Sequence, residues 1–212
     1  MSLFLKKFEH DASIGIWEIH ESVDELYSKI QLSNDEEKIF SNLKTPTRKQ
    51  HWLSYRLILP YLVNDHELSA ITYDEYGKPY LNNGVRHISV SHSGKYSALI
   101  ASPVYSVGID IERIEGKIQR ISHKFLNDRE IHESHGQLSL ESLYIIWAAK
   151  ETLFKLHGKR DILFRDNIYI APFDDQERGL VYGTISHDNV KQTIPIQYQM
   201  VDDYILAYAI AR

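Results

Sequence analysis

Apolar residues recur along this chain with two different periods, and the changes of period outline its elements. After Thr45–Pro46, the residues Trp52, Tyr55, Leu59 and Leu62 return at helical intervals. Thr45 suits an N-cap and Pro46 the first helical position, so a helix starts there. Val23, Leu26, Tyr27 and Ile30 give Ser22–Ile30 helical spacing, and Ser33 with Glu36 has the spacing of a capping box. Ile118–Phe125 reads as a short helix. Leu138–Leu156 reads as the longest amphipathic one, with Gly158 as its stop. Ser13–His20, His87–Ser91, Tyr96–Ala101 and Val107–Arg113 are short, apolar and β-branched, as strands are. Ser93–Gly94–Lys95 is a turn between two of them, and Tyr76–Tyr80 turns into a short extended piece. Asn167–Ile170, Leu180–Ser186, Thr193–Met200 and Tyr204–Ala211 read as an antiparallel sheet.

The order is strand, helices, strands, helices, strands. It predicts an α+β fold in two comparable halves, 1–104 and 105–212, each a small antiparallel sheet packed against a long helix. Residue identity between the halves is too low to establish a repeat from the letters alone.

Composition narrows the function. The chain of 212 residues is long enough for a sizeable core, and it contains no cysteine. Thiolate metal sites, a cysteine nucleophile and disulfides are therefore excluded. With 24 Lys+Arg against 29 Asp+Glu the net charge is -5, which argues against a non-specific nucleic-acid binder. The opening MSLFLKKFEHDAS lacks the apolar core of a signal peptide, and no run approaches the roughly 18 apolar residues of a membrane span. The expectation is a soluble, cytoplasmic protein without membrane or nucleic-acid partners.

Four constellations carry candidate chemistry. In Gly108–Ile109–Asp110–Ile111–Glu112 a strand projects Asp110 and Glu112 from one face. Two such carboxylates repel unless a cation sits between them, either a hard divalent ion or surface Arg and Lys. In Trp147-Ala-Ala-Lys150-Glu151-Thr-Leu-Phe-Lys155, Glu151 and Lys155 are one helical turn apart, which also fits a solvated ion pair. Ser91–His92–Ser93–Gly94 at a strand end could gather around a phosphate or simply form a polar hairpin turn. Ser91 and His92 point to opposite faces and no G-x-S-x-G elbow exists, so a hydrolase triad does not fit. Arg48, Arg56 and Lys78 are scattered cations that an anionic ligand could recruit, or plain surface charges. His132–Glu133–Ser134–His135 lacks metalloprotease spacing and reads as a polar loop.

Taken together, G-I-D-I-E followed by W-A-A-K-E-T-L-F-K, with G-K-P-Y and S-H-S-G upstream, resembles the 4'-phosphopantetheinyl transferase superfamily, in its surfactin-synthetase (Sfp-like) type. The resemblance covers about Arg48 to Lys155. It implies a pseudodimer of two similar halves in one chain, and hence a monomer. It also implies transfer of the 4'-phosphopantetheine arm of coenzyme A to a serine of an apo acyl or peptidyl carrier protein, releasing 3',5'-ADP. On that reading Asp110, Glu112 and Glu151 hold Mg²⁺ or Mn²⁺, and Glu151 is the candidate base. Lys150 and Lys155 contact phosphates, Lys155 as part of the catalytic set. Ser91, His92, Lys78, Arg48 and Arg56 bind coenzyme A. The carriers of fatty-acid, polyketide and nonribosomal-peptide synthesis all remain open as acceptors. Lys117, Arg120 and Lys124 line one face of the helix at Ile118–Phe125 and would suit an acidic carrier. The alternatives are a coenzyme A- or nucleotide-binding module without chemistry on the same fold, and a Mg²⁺-dependent phosphohydrolase, for which no distinct motif is present.

Overall fold

The computed structural model describes residues 3–64, 70–81, 87–159 and 161–211. The chain divides into two compact units, Met1–Tyr105 and Ser106–Arg212. The first contains β1 (Leu3–Glu9), β2 (Ala12–Glu18), α1 (Val23–Tyr27), α2 (Asn34–Ser41), α3 (Pro46–Leu62), β3 (Ile71–Tyr73), β4 (Pro79–Leu81), β5 (His87–Ser93) and β6 (Tyr96–Ser102). The second contains β7 (Ser106–Arg113), α4 (Ile118–Phe125), α5 (Asp128–Glu133), α6 (Leu140–His157), α7 (Phe164–Asn167), β8 (Ile168–Ile170), β9 (Arg178–His187), β10 (Val190–Val201) and β11 (Tyr204–Ala211).

Each unit is an antiparallel sheet with one long helix laid on it. The sheet orders are β1-β2-β6-β5-β4-β3 and β7-β11-β10-β9-β8. If β1 is set aside, both follow one wiring. A strand leads into a long helix, and four further strands fold back so that the last pairs with the first. The fold class expected from the sequence is therefore present, and the similarity of the halves resides in topology more than in residue identity.

The long helices form where the caps and the pattern say they should. Thr45 caps α3 by accepting from the Arg48 N–H, and Pro46 follows it. Ser139 caps α6, and Gly158, at φ 78°, ends it in the left-handed region that glycine enters at least cost. α3 buries Leu53, Ile58, Leu59 and Leu62 against Ile71, Leu81, Ile88 and Leu99 of its sheet. α6 buries Ile145, Ala149 and Leu153 against Ile170, Val181, Ile196 and Ala207. At about 1.5–3 kcal/mol for each large apolar side chain, these two contacts dominate the stability of their units.

A glycine sits where each helix crosses the first strand of its wiring. A Cβ on Gly15 would lie 2.4 Å from Ile58 Cγ2 of α3. A Cβ on Gly108 would lie 2.2 Å from the Thr152 carbonyl oxygen of α6. At Gly108 strand and helix thus meet backbone to backbone.

The short β3 and α7 were not expected, and two further elements depart from the sequence reading. β1 was not expected, because as an edge strand it is half solvated and its alternation includes Lys6 and Lys7. It joins β2 through His10–Asp11, both at positive φ, a tight turn of the kind that suits hairpins. His132 and Glu133, expected in a polar loop, end the helix α5 instead. Asn127 and Glu130 form the capping box that starts it, and only Ser134 and His135 lie beyond its end.

Candidate functional site

Gly108, Asp110 and Glu112 share the face of β7 that meets α6. Their register on β11 is Ala209, Ala207 and Ile205. Because Gly108 has no side chain, α6 comes close enough for its Trp147, Glu151 and Lys155 face to reach the two carboxylates. Lys155 Nζ donates to Asp110 Oδ1 at 2.7 Å and to the Ile109 carbonyl at 3.1 Å. Trp147 Nε1 donates to Glu112 Oε1 at 3.4 Å. Asp110 is only 2% exposed, so its charge is held in a dry setting with the Lys155 ammonium beside it.

Glu151 completes the group. Burial pushes its carboxyl up to about 7, and the neighbouring charges of Asp110 and Glu112 add to that, while Lys155 works in the opposite direction. The three carboxylates from the two motifs therefore sense one another. All are hard oxygen donors, the type that magnesium or manganese takes, and a cation among them would relieve their repulsion. The donor chemistry fits a divalent ion. Among the described residues no group of three or more His, Asp or Glu is placed so that it could hold a metal ion as the side chains stand. In this arrangement Lys155 is the cation that neutralises Asp110.

Lys150 goes elsewhere. It is fully buried, and its Nζ donates to Glu130 Oε2 at 2.8 Å and to the carbonyls of Phe125, Ile168 and Phe164 at 2.7, 2.8 and 3.1 Å. An ammonium has three hydrogens, so four acceptors saturate it. Glu130 in turn accepts from the Ile170 and Asn127 backbone N–H groups. The expected phosphate contact from Lys150 is thus corrected: its charge ties α6 to α4, α5 and β8. The sequence did carry a signal for this. Lys150 stands in the apolar row Leu143, Ile146, Leu153 rather than in the row of Trp147, Glu151 and Lys155.

In the first unit the candidates separate in the same way. Arg56 is only 3% exposed and is consumed internally. Its Nε donates to Glu36 at 3.1 Å, and its other nitrogens donate to the carbonyls of Trp52 and Ile71. Its guanidinium lies 3.4 Å from the centre of the Trp52 ring. It is neither a surface cation nor placed to meet a coenzyme, because this packing leaves no donor facing outward. Arg48 is exposed in the first turn of α3. Lys78 is half-buried at the β3–β4 turn, where burial lowers its proton affinity and Asp74 opposes that. The Lys78 N–H is held by Asp74 Oδ1 at 2.8 Å.

Ser91 and His92 lie on β5 as the strand period requires, Ser91 buried and His92 exposed. Sequence reasoning missed a third residue beside them. His51 of α3 stacks on His92 with ring centroids 4.3 Å apart and planes 12° from parallel. A lone histidine in a helical pattern gave no signal of this, because the contact spans α3 and β5.

With that geometry established, comparison with known proteins identifies its setting. Residues 106–209, nearly all of the second unit, match the model of the 4'-phosphopantetheinyl transferase superfamily. The chain is similar to a 4'-phosphopantetheinyl transferase of Bacillus subtilis, 30% identical over 105 residues, 48% of this chain and 46% of the relative. It is also similar to the 4'-phosphopantetheinyl transferase gsp of Aneurinibacillus migulanus, 35% identical over 89 residues, 41% of this chain and 37% of the relative. The 4'-phosphopantetheinyl transferase AcpT of Escherichia coli (strain K12) is 30% identical over 117 residues, 52% of this chain and 59% of the relative. The chain thus spans about half the length of the curated relatives it matches. The family resemblance read from the motifs is borne out. No helix among the described residues is long and apolar enough to cross a membrane.

Proposed function

We propose that this protein transfers the 4'-phosphopantetheine arm of coenzyme A to a serine hydroxyl of an apo acyl or peptidyl carrier protein, releasing 3',5'-ADP. The observation that carries this reading is the convergence of Asp110, Glu112, Glu151 and Lys155 at the Gly108 crossing of β7 and α6, inside the region that matches the superfamily.

The reaction forms an oxygen–phosphorus bond to the acceptor serine and breaks the bond to the leaving 3',5'-ADP. A group must take the serine proton, and negative charge must be offset on the pyrophosphate. Glu151 is the candidate for the first task, as a carboxylate on α6 beside Asp110 and Glu112. Lys155 suits the second, because its ammonium is partly exposed and lies at the carboxylates. Asp110, Glu112 and Glu151 would hold the divalent ion, with Mg²⁺ favoured and Mn²⁺ chemically equivalent. When bound, that ion supplies charge neutralisation at the phosphates. Trp147 fixes Glu112, and the dry setting of Asp110 keeps its charge undiluted by water.

In the first unit, Ser91, His92, Lys78 and Arg48 are proposed as coenzyme A contacts. Arg56 and Lys150 drop out of the set because their donors are spent inside the fold. On this reading 105–212 carries the metal-site motifs, in a monomer working in the cytoplasm. α4 presents Arg120 and Lys124 as exposed cations, with Lys117 at its N-cap paired to Glu115 at 2.7 Å, a surface that suits an acidic carrier.

The test is mass spectrometry of an apo carrier protein incubated with this protein, coenzyme A and Mg²⁺, with and without EDTA. A gain of one phosphopantetheine arm that EDTA abolishes supports the reading. No gain with fatty-acid, polyketide and peptidyl carriers, while coenzyme A still binds, overturns it in favour of a binding module. Asp110→Asn, nearly isosteric, should lose transfer while keeping the circular dichroism of the wild type.

A further inference from the structure

His51 is buried in the middle of the first unit, yet it touches a residue that faces solvent. It occupies the second turn of α3, only 7% exposed. Its Nε2 lies 2.8 Å from the Gly94 carbonyl. A carbonyl can only accept, so Nε2 carries the hydrogen and the tautomer is fixed. Burial lowers the proton affinity of the ring, and the Gly94 bond only partly opposes that. His51 is therefore a neutral ring held at one point.

What it is held to matters. Gly94, at φ 52°, forms the turn between β5 and β6. One helical turn further along α3, Ser54 Oγ meets Ser97 Oγ at 2.7 Å across the same hairpin. The Lys95 carbonyl accepts from the Ile19 N–H at 2.7 Å. The hairpin end is thus fastened on both sides, and the His51 ring is registered against it. On that hairpin His92 shares the α3-facing side of β5 with Ile88 and Val90, reaches solvent at the strand end and lies flat on the His51 ring, at 4.3 Å and 12°. An exposed imidazole without such a platform samples several rotamers within nanoseconds. A neutral ring beneath it supplies the platform without adding a like charge.

We propose that His51 is a positioning residue, whose ring holds His92 in the orientation from which it meets a phosphate of coenzyme A. The proposal rests on the reading that His92 contacts that phosphate. Its mechanism is pre-ordering. A side chain fixed before binding is not fixed at the expense of affinity, and one such side chain is worth about three- to tenfold in dissociation constant.

The two attributes of His51 can be separated. His51→Phe keeps a flat ring and loses the donor to Gly94. His51→Gln keeps an amide donor and loses the ring. His51→Ala loses both, and His92→Ala tests the underlying reading. Coenzyme A affinity is measured by calorimetry on the full chain, alongside the His92 ring resonances by nuclear magnetic resonance. The expected result is weakening of about three- to tenfold in His51→Ala and His51→Gln, and near wild-type affinity in His51→Phe. The His92 shifts should move in the first two variants only. If His51→Gln restores affinity and His51→Phe does not, the hairpin fastening matters rather than the ring, and the proposal is wrong. If His92→Ala weakens binding while no His51 variant does, it is equally wrong, though the coenzyme reading survives. If His92→Ala leaves binding unchanged, the phosphate reading fails and takes the proposal with it.

Discussion

Gly108→Ala tests whether the close crossing of β7 and α6 assembles the site. The added Cβ would lie 2.2 Å from the Thr152 carbonyl oxygen and 3.1 Å from Leu156 Cβ. Comfortable contact begins near 3.5 Å, so relief requires a separation of a little over ~1 Å. The obstacle is helix backbone, which no rotamer change can remove. α6 must therefore lift, and with it Glu151 and Lys155 move away from Asp110 and Glu112. Overpacking of this kind costs about 1–3 kcal/mol in stability. An ångström of misplacement in a reacting assembly costs about 10²-fold in rate. Thermal denaturation should register the first effect, and transfer to an apo carrier, corrected for folded fraction, the second. Gly183→Ala is the comparator. Its Cβ would meet the side-chain ends of Leu153, Ile196 and Ile170 at 2.5, 2.8 and 3.0 Å, where methyl groups can turn aside. It should cost stability without a comparable loss of transfer. A Gly108→Ala protein that melts like wild type and transfers at the wild-type rate would refute the argument.

Three further outcomes follow from the same contacts. Lys150→Met strands the Glu130 carboxylate in a dry interior and should cost about 3–5 kcal/mol in denaturant unfolding, while Lys150→Met with Glu130→Gln should recover a large part of it. His51 has its proton affinity lowered below the ordinary 6.5 by burial, so the unfolded chain binds the proton more readily. The stability it contributes is complete above pH 6.5 and is lost as pH falls below that value. Melting temperatures of His51→Gln should accordingly decline less steeply than wild type on acidification. Arg120→Glu with Lys124→Glu should raise the carrier KM severalfold and leave coenzyme A affinity alone; an unchanged carrier KM would remove α4 from the docking surface.

Much of the architecture was legible because local signals agreed. Thr45–Pro46, Ser33 with Glu36, and Gly158 all terminate helices where their chemistry says they should. The helix Ile118–Phe125 and the strand Tyr204–Ala211 have the limits that their patterns predict. The strand face of Asp110 and Glu112 followed from a period of two. Burial of charge was not legible in the same way. Lys150 and Arg56 read as available cations because nothing local names a partner, and their partners Glu130 and Glu36 lie 20 residues away in each case. The stack of His51 on His92 spans about twice that gap in the chain. β1 escaped because a half-solvated edge has a weak apolar period.

The shared wiring of the two units has a consequence for how the chain can vary. Ser-Ile-Gly-Ile-Trp at Ser13–Trp17 and Ser-Val-Gly-Ile-Asp at Ser106–Asp110 open the two wirings, each with its glycine under a long helix. Two positions beyond that glycine stands Trp17 in one copy and Asp110 in the other. Equivalent positions have thus acquired different duties, one filling space and the other carrying charge. A saturation scan of the two strands should find Trp17 tolerant of other large apolar residues and Asp110 tolerant of almost nothing when transfer is selected. When folding alone is selected, the order should reverse. The same strand position thus serves packing in one unit and charge in the other.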